Sequence, residues 1–301
     1  MKIWLNGSLH DESEARVSVL DHGFLYGDGV YETVRVRQGR PLFLADHLVR
    51  LKNSCRVIHL DLPWTATAIA QAVDKTLSAN QCDESALRLQ VSRGPGPVGF
   101  DIRACKTPTL VIVERPISGA PSSFYERGVV AAIVKTRRNH PQALPPEAKS
   151  TNCLNGILAK WESNRQGAFE GILLNLAGHV TEGTVSNIFA VQKGRLVTPS
   201  LRCGLLPGIT RAILLRLART SGIAIREMEL TVGEMLRSQE IFLTNSLIDV
   251  MPVTRLKIPA ARIVGDGRVG PVTQLLMNLY RRKMDEFCAA VTAGRRTKRS
   301  R

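Results

Sequence analysis

Apolar and polar residues alternate from the start of the chain. Lys2-Ile3-Trp4-Leu5-Asn6-Gly7-Ser8 predicts a strand running into a turn. Val30 to Arg37, then Gln38-Gly39-Arg40, then Pro41 to Leu44 predicts a hairpin whose turn uses Gly39. The period then changes. Leu48, Leu51, Cys55 and Ile58 recur at helical spacing behind Asp46, which is expected to cap that helix. Trp64 to Leu77 predicts a second helix, and Ala86 to Ser92 and Thr109 to Val113 predict strands, giving an α+β unit with mostly antiparallel pairing. Further on, Val129 to Val134 reads as a strand. Asn152 to Arg165 reads as a helix with Leu154, Ile157, Leu158 and Trp161 on one side. Strands follow at Gly171 to Leu176 and Ile188 to Val191, separated by a turn at Ala177-Gly178-His179. An amphipathic helix covers Ile209 to Ala218, with Gly222 near its end. Glu240 to Leu243 is a short apolar strand, and Val272 to Cys288 a final helix.

At 301 residues the chain exceeds the usual single core, so two domains are expected. The prolines, serines and glycines of Pro116 to Arg127 mark the join. The expected division is an N-terminal α+β domain over residues 1–117, a linker over 118–128, a C-terminal domain over 129–290, and a basic disordered tail over 291–301. No apolar run approaches the roughly 18–20 residues that span a bilayer, and the first residues lack a signal-peptide pattern. A cytoplasmic protein is the resulting expectation. Six cysteines at unpaired spacings suggest neither a disulfide framework nor a zinc site, and no metal is expected. The net charge of +15 favours anionic partners. No recognition module accompanies it, so no nucleic-acid partner is expected, although a non-catalytic nucleic-acid binder led by the basic tail stays as an alternative.

Four segments carry candidate chemistry. Leu206-Pro207-Gly208-Ile209-Thr210-Arg211 leads into a helix, whose first turn offers unpaired N–H groups and a positive dipole end suited to a phosphate. Ordinary helix capping explains the same residues. Leu243-Thr244-Asn245-Ser246 puts hydroxyls and an amide at a strand exit, where polar turn chemistry is equally at home. Lys149 sits between Pro145-Pro146 and a helix start. Its amine could bond a carbonyl carbon, or it could be a solvated surface lysine. Glu182 precedes a Gly-Thr turn and an apolar strand. It could face a pyridine nitrogen or simply cap a turn.

Taken in order, the stretches DHGFLYGDGVYETVRV, DHLVRL, AKSTNCLNGILAKWES, TEGTVSNIF, LVTPSLRCGLLPGITR and IFLTNSLIDVMPV resemble the class IV aminotransferases, from about Trp4 to Tyr280. The resemblance implies a two-domain α+β fold of type IV, like D-amino-acid aminotransferase, with a barrel-like β core in the C-terminal domain. It implies pyridoxal 5'-phosphate as cofactor, an amino acid and a keto acid as substrates, and a homodimer or higher homo-oligomer. It makes Lys149 the internal Schiff-base lysine and the base that moves the proton between substrate Cα and cofactor C4′. Glu182 becomes the pyridine-nitrogen partner. Arg50, Ile209, Thr210 and Ser246 become phosphate ligands, and Tyr26, Tyr31 and Arg88 pocket residues.

The subgroup is less plain. D-amino-acid aminotransferases carry an arginine and a histidine where this chain has Val98 and Phe100. Branched-chain enzymes carry a tyrosine where Cys153 stands, and FEG where Tyr31-Glu32-Thr33 stands, yet Arg138 and LPPEAK look like theirs. DHGFLYG, ETVR and TNSL look like aminodeoxychorismate lyases. The expectation is transamination of an aliphatic or branched-chain α-amino acid. Aminodeoxychorismate lyase, which eliminates pyruvate in p-aminobenzoate synthesis, is the alternative. A D-amino-acid aminotransferase with a non-standard carboxylate site is the second.

Overall fold

The computed structural model describes residues 1–258 and 260–299, apart from the side chains of 290–299. It divides into two compact units. The first comprises Met1–Ser118, Glu147–Asn152 and the chain from Phe287 on. The second comprises Gly119–Pro146 and Cys153–Glu286.

In the first unit the elements run β1 (Lys2–Leu5), β2 (Ser8–Asp11), α1 (His22–Tyr26), β3 (Gly29–Arg37), β4 (Arg40–Pro41), α2 (Leu44–Val57), α3 (Ala66–Asn80), β5 (Glu84–Ser92) and β6 (Thr109–Pro116). The six strands form one sheet in the order β2-β1-β6-β5-β3-β4, and all its pairings are antiparallel. One face is apolar because β3 and β5 alternate. Val30, Val34 and Val36 pack with Leu87, Leu89 and Val91 beneath Leu48, Leu51 and Cys55 of α2 and Ile69, Val73 and Leu77 of α3. The β3–β4 turn has positive φ at both Gln38 (52°) and Gly39 (67°), the twist a two-residue hairpin needs. The return strand is only Arg40–Pro41, since α2 already begins at Leu44. Asp46 is therefore not the cap of α2. The cap position is Phe43, in the left-handed region at φ 54°, and Asp46 lies in the first turn, where its charge still suits the helix dipole.

The second unit holds α4 (Ser122–Arg127, within the stretch 118–128), β7 (Val129–Arg137), α5 (Leu154–Arg165), β8 (Glu170–Leu174), β9 (His179–Gly183), β10 (Asn187–Gln192), β11 (Arg195–Pro199), α6 (Ile209–Thr220), β12 (Ile225–Met228), β13 (Leu230–Thr231), α7 (Val232–Leu236), β14 (Glu240–Asn245), β15 (Asp249–Ile258) and β16 (Ala260–Ile263), and α8 (Pro271–Arg299) as far as Glu286. Its ten strands run β12-β11-β10-β14-β15-β7-β8-β9-β13, with β16 on β15. The sheet curls into a nearly closed, barrel-like shape. Ile172, Val180, Ile188, Ala190, Val197, Leu230, Ile241, Leu243, Met251 and Val253, drawn from strands along its length, share one core. The region read as a bare turn between two strands holds β9, paired antiparallel with β8. On α5 the four apolar residues do share a side, but it is the outer one; Leu154 is 65% exposed.

Among the described residues no helix is long and apolar enough to cross a membrane, and no cluster of His, Cys, Asp or Glu is placed to hold a metal. The six cysteines are free. The basic tail, 291–301, lies outside the described residues except for the backbone of α8.

Candidate active site

In the first unit Lys149, Arg50 and Arg88 gather with Tyr31 along β3. The segment carrying Lys149 docks on the edge of this strand. Ser150 bridges Val30, the Tyr31 N–H donates to the Lys149 carbonyl at 2.9 Å, and the Thr151 N–H donates to the Gly29 carbonyl at 2.9 Å. The Lys149 N–H donates to Ser54 Oγ on α2 at 3.0 Å. Both backbone groups of this lysine are thus held. Its side-chain nitrogen lies 4.5 Å from the centroid of the Tyr31 ring, and the guanidinium carbon of Arg88 lies 3.8 Å from the same centroid. Arg88 also donates through Nε to Gln90 Oε1 at 3.1 Å. Tyr26 closes α1. Its hydroxyl accepts the Gly99 N–H at 2.9 Å, and its ring packs edge-on against His22 and Phe100.

Arg50 projects from α2 and grips Glu32 of β3 at two points, Nε to Oε1 at 2.7 Å and a terminal nitrogen to Oε2 at 2.7 Å. His47, one turn earlier, donates from Nδ1 to Oε2 at 2.6 Å. Glu32 has no exposed surface. Burial pushes its carboxyl up, but the Arg50 and His47 hydrogen bonds outweigh that and hold it at about 2. Burial pulls the His47 imidazole below its ordinary value, against the opposing bond to Glu32. The charge facing Glu32 is therefore that of Arg50.

In the second unit Glu182 lies on β9, buried and fully engaged. Arg138 Nε donates to Oε1 at 2.7 Å, the Leu206 N–H donates to Oε2 at 3.0 Å, and Asn187 Nδ2 approaches Oε2 at 3.5 Å. Asn187 also donates to the Leu206 carbonyl at 2.9 Å. One amide thereby ties the carboxylate to the turn that leads into α6. Gly208 is the cap residue of α6 and provides no side-chain cap bond, so the first-turn N–H groups, including those of Ile209 and Thr210, have no side-chain acceptor at the cap. A Cβ on Gly208 would stand 1.9 Å from Asn187 Oδ1, so only glycine permits this approach. The Thr210 hydroxyl is buried 3.4 Å from that of Tyr280. Ser246 follows β14. Beside it, Asn245 Oδ1 accepts the N–H groups of Leu247 and Ile248 and shapes the turn.

Glu32, His47, Ser54 and Asn187 were not singled out from sequence as site residues. Three of them left a signal. Glu32 interrupts the inward row Val30, Val34, Val36, while His47 and Ser54 interrupt the buried face of α2. A polar residue in an apolar row is costly unless it is paired, and so it points to a partner.

Residues 29–256 match the amino-transferase class IV family. A putative branched-chain-amino-acid aminotransferase of Methanocaldococcus jannaschii is 38% identical over 281 residues, covering 93% of this chain and 96% of that protein. The aminodeoxychorismate lyase of Bacillus subtilis is 31% identical over 285 residues, covering 94% of each. Among solved structures, the branched-chain aminotransferase of the thermophilic archaeon Thermoproteus uzoniensis with norvaline superposes with a TM-score of 0.85 at 35% identity, covering 94% of each chain. The motifs, the curled sheet and these likenesses agree: the chain is an enzyme belonging to the class IV aminotransferase family, with the fold type IV architecture.

Proposed function

We propose that this protein is a pyridoxal-phosphate aminotransferase that moves an amino group between an aliphatic or branched-chain α-amino acid and a 2-keto acid, with Lys149 as its catalytic residue. The residues fit such a cofactor. The α6 tip, with an uncapped first turn and a glycine where a Cβ would clash, suits a phosphate. Glu182, oriented by Arg138 and the Leu206 N–H, suits a ring nitrogen. When bound, pyridoxal phosphate supplies an aldehyde for an amine and a ring that draws electrons from the substrate's Cα.

The protein's own groups do the rest. Lys149 would hold the cofactor through its aldehyde and, once the substrate's amine had displaced it, its freed amine would take and return the proton at the substrate's Cα. Glu182 holds the proton on the ring nitrogen. The N–H groups of Ile209 and Thr210, with Ser246 and Arg50, bind the phosphate. Tyr31, Tyr26 and Arg88 line the substrate side. Val98 and Phe100 carry no charge to receive a carboxylate, and Phe100 is 85% exposed, which disfavours the D-specific reading. We further propose at least a homodimer, because the outward apolar side of α5 is a surface that favours cover.

The observation that carries this reading is the fixing of Lys149. Its N–H is on Ser54, its carbonyl on Tyr31, and its side-chain nitrogen over the Tyr31 ring. A solvated surface lysine has no such constraints. The test gives holoenzyme an amino acid with no keto acceptor. Conversion of the cofactor spectrum to the pyridoxamine form supports transamination, and the amino acids that drive it name the substrate. Release of p-aminobenzoate from aminodeoxychorismate, with no conversion by any L- or D-amino acid, would make the enzyme a lyase. That second reading draws on the 31% identity to the Bacillus subtilis lyase.

A further inference from the structure

Arg50 is an unusual way to hold a phosphate, because a carboxylate already occupies one edge of its guanidinium. Glu32 lies wholly inside the first unit, on the face of β3 otherwise filled by Val30, Val34 and Val36. It takes Nε and one terminal nitrogen of Arg50 in a two-point fork at 2.7 Å each. His47 adds a third donor at 2.6 Å. A carboxylate beside a phosphate-binding arginine weakens the arginine's net pull on an anion. Two effects oppose that loss. The fork fixes the plane of a side chain that otherwise rotates about several bonds, so the rest of the guanidinium points one way before any ligand arrives. The counter-charge also compensates a largely buried cation in the cofactor-free protein. His47 adds no charge to the balance, because burial holds its imidazole below its ordinary value. Glu32 stays ionised at any working pH, since its carboxyl is held at about 2.

We propose that Glu32 is the positioning residue of the cofactor site: through its two-point grip on Arg50, supported by His47, it presets the guanidinium that receives the cofactor phosphate. This rests on the reading of Arg50 as a phosphate ligand. It adds that the arginine's worth depends on a residue that never meets the cofactor.

The test titrates cofactor-free protein with pyridoxal phosphate and, separately, with pyridoxal, which lacks the phosphate. The ratio of the two affinities reads the phosphate contacts alone. A merely structural defect lowers both affinities and leaves the ratio intact. Wild type is compared with Glu32→Gln, Arg50→Ala and the double variant. Arg50→Ala should cut the ratio. Glu32→Gln should cut it on the order of tenfold, the usual scale for a support behind a ligating group. The double variant should match Arg50→Ala, because the two residues act as one unit. A wild-type ratio in Glu32→Gln, or an undiminished further loss in the double variant, overturns the proposal while leaving Arg50 in its role. An unchanged ratio in Arg50→Ala overturns the role of Arg50 itself. If Glu32→Gln does not fold, Glu32→Asp, which keeps the buried charge but withdraws the fork by one methylene, gives the same readout and must also cut the ratio.

Discussion

Glu114 on β6 and Glu32 on β3 both point into the apolar side of the first sheet, yet their environments drive them in opposite directions. Burial pushes the Glu114 carboxyl up from its usual value, and the hydrogen bond from Ser85 opposes this only in part. A group whose pKa is raised on folding binds its proton more tightly folded than unfolded. Its contribution to stability is full below the unfolded value near 4.5 and is lost as pH rises through the folded value. As pH rises above about 4.5, wild type should therefore lose more melting temperature than Glu114→Gln does. Calorimetry across that range checks it, and parallel curves would refute it. At Glu182, replacement by Gln keeps the shape but removes the charge that the proposed function sets against a ring-nitrogen proton. Cofactor binding should persist while removal of the Cα proton slows by about a hundredfold, seen as a growing deuterium isotope effect with Cα-labelled substrate. Motif order marks Glu182 and Lys149 as candidates in the sequence. Glu32 was less legible, because one carboxylate in an alternating row looks like noise until its partners on α2 are known.

At the scale of elements, α2 positions candidate residues of the first unit and α6 those of the second. Along α2, His47, Arg50 and Ser54 succeed one another at turn-like intervals. The helix thus fixes both the candidate phosphate arginine and the backbone of Lys149. Ser54→Ala removes the hydroxyl acceptor of the partly buried Lys149 N–H, a cost of about 1 kcal/mol. It should reduce kcat more than KM for the amino acid, since the lysine shifts but the pocket does not. Steady-state kinetics decide it. Gly208→Ala drives a methyl into Asn187 at the α6 tip. Overpacking of this kind costs about 1–3 kcal/mol, and cofactor affinity should fall with stability. A Gly208→Ala protein that binds pyridoxal phosphate as wild type does would remove α6 from the site. The periodicities of β3, α2, α3, α5 and α6 were plain in the sequence. Three features were not. The cap of α2 is set by a left-handed Phe43, which no propensity anticipates. The short return strand β4 gives way at once to a helix. β9 hides between the turns read at Ala177-Gly178-His179 and Gly183-Thr184, although its inward residues Val180 and Glu182 face a core and a network that only the folded sheet brings together.

For the molecule as a whole, charge and length predicted little beyond an affinity for anions and more than one core. The curled ten-stranded sheet arises from pairings between distant segments, such as β15 with β7 and β13 with β9, which local patterning does not encode. If a second copy covers α5, sedimentation should give twice the 33.1 kDa chain mass, and a fully active single chain would defeat that expectation. The docking of residues 149–151 on β3 also bears on how the protein is made. Lys149 meets Ser54 across 95 residues of sequence. During synthesis β3 therefore emerges long before the segment that covers it, and its unsatisfied amides and carbonyls remain open to any passing strand. Arrested nascent chains ending before this segment should associate with one another more readily than chains extended beyond it, which would give the stretch carrying the candidate amine a second task, shielding the newborn sheet.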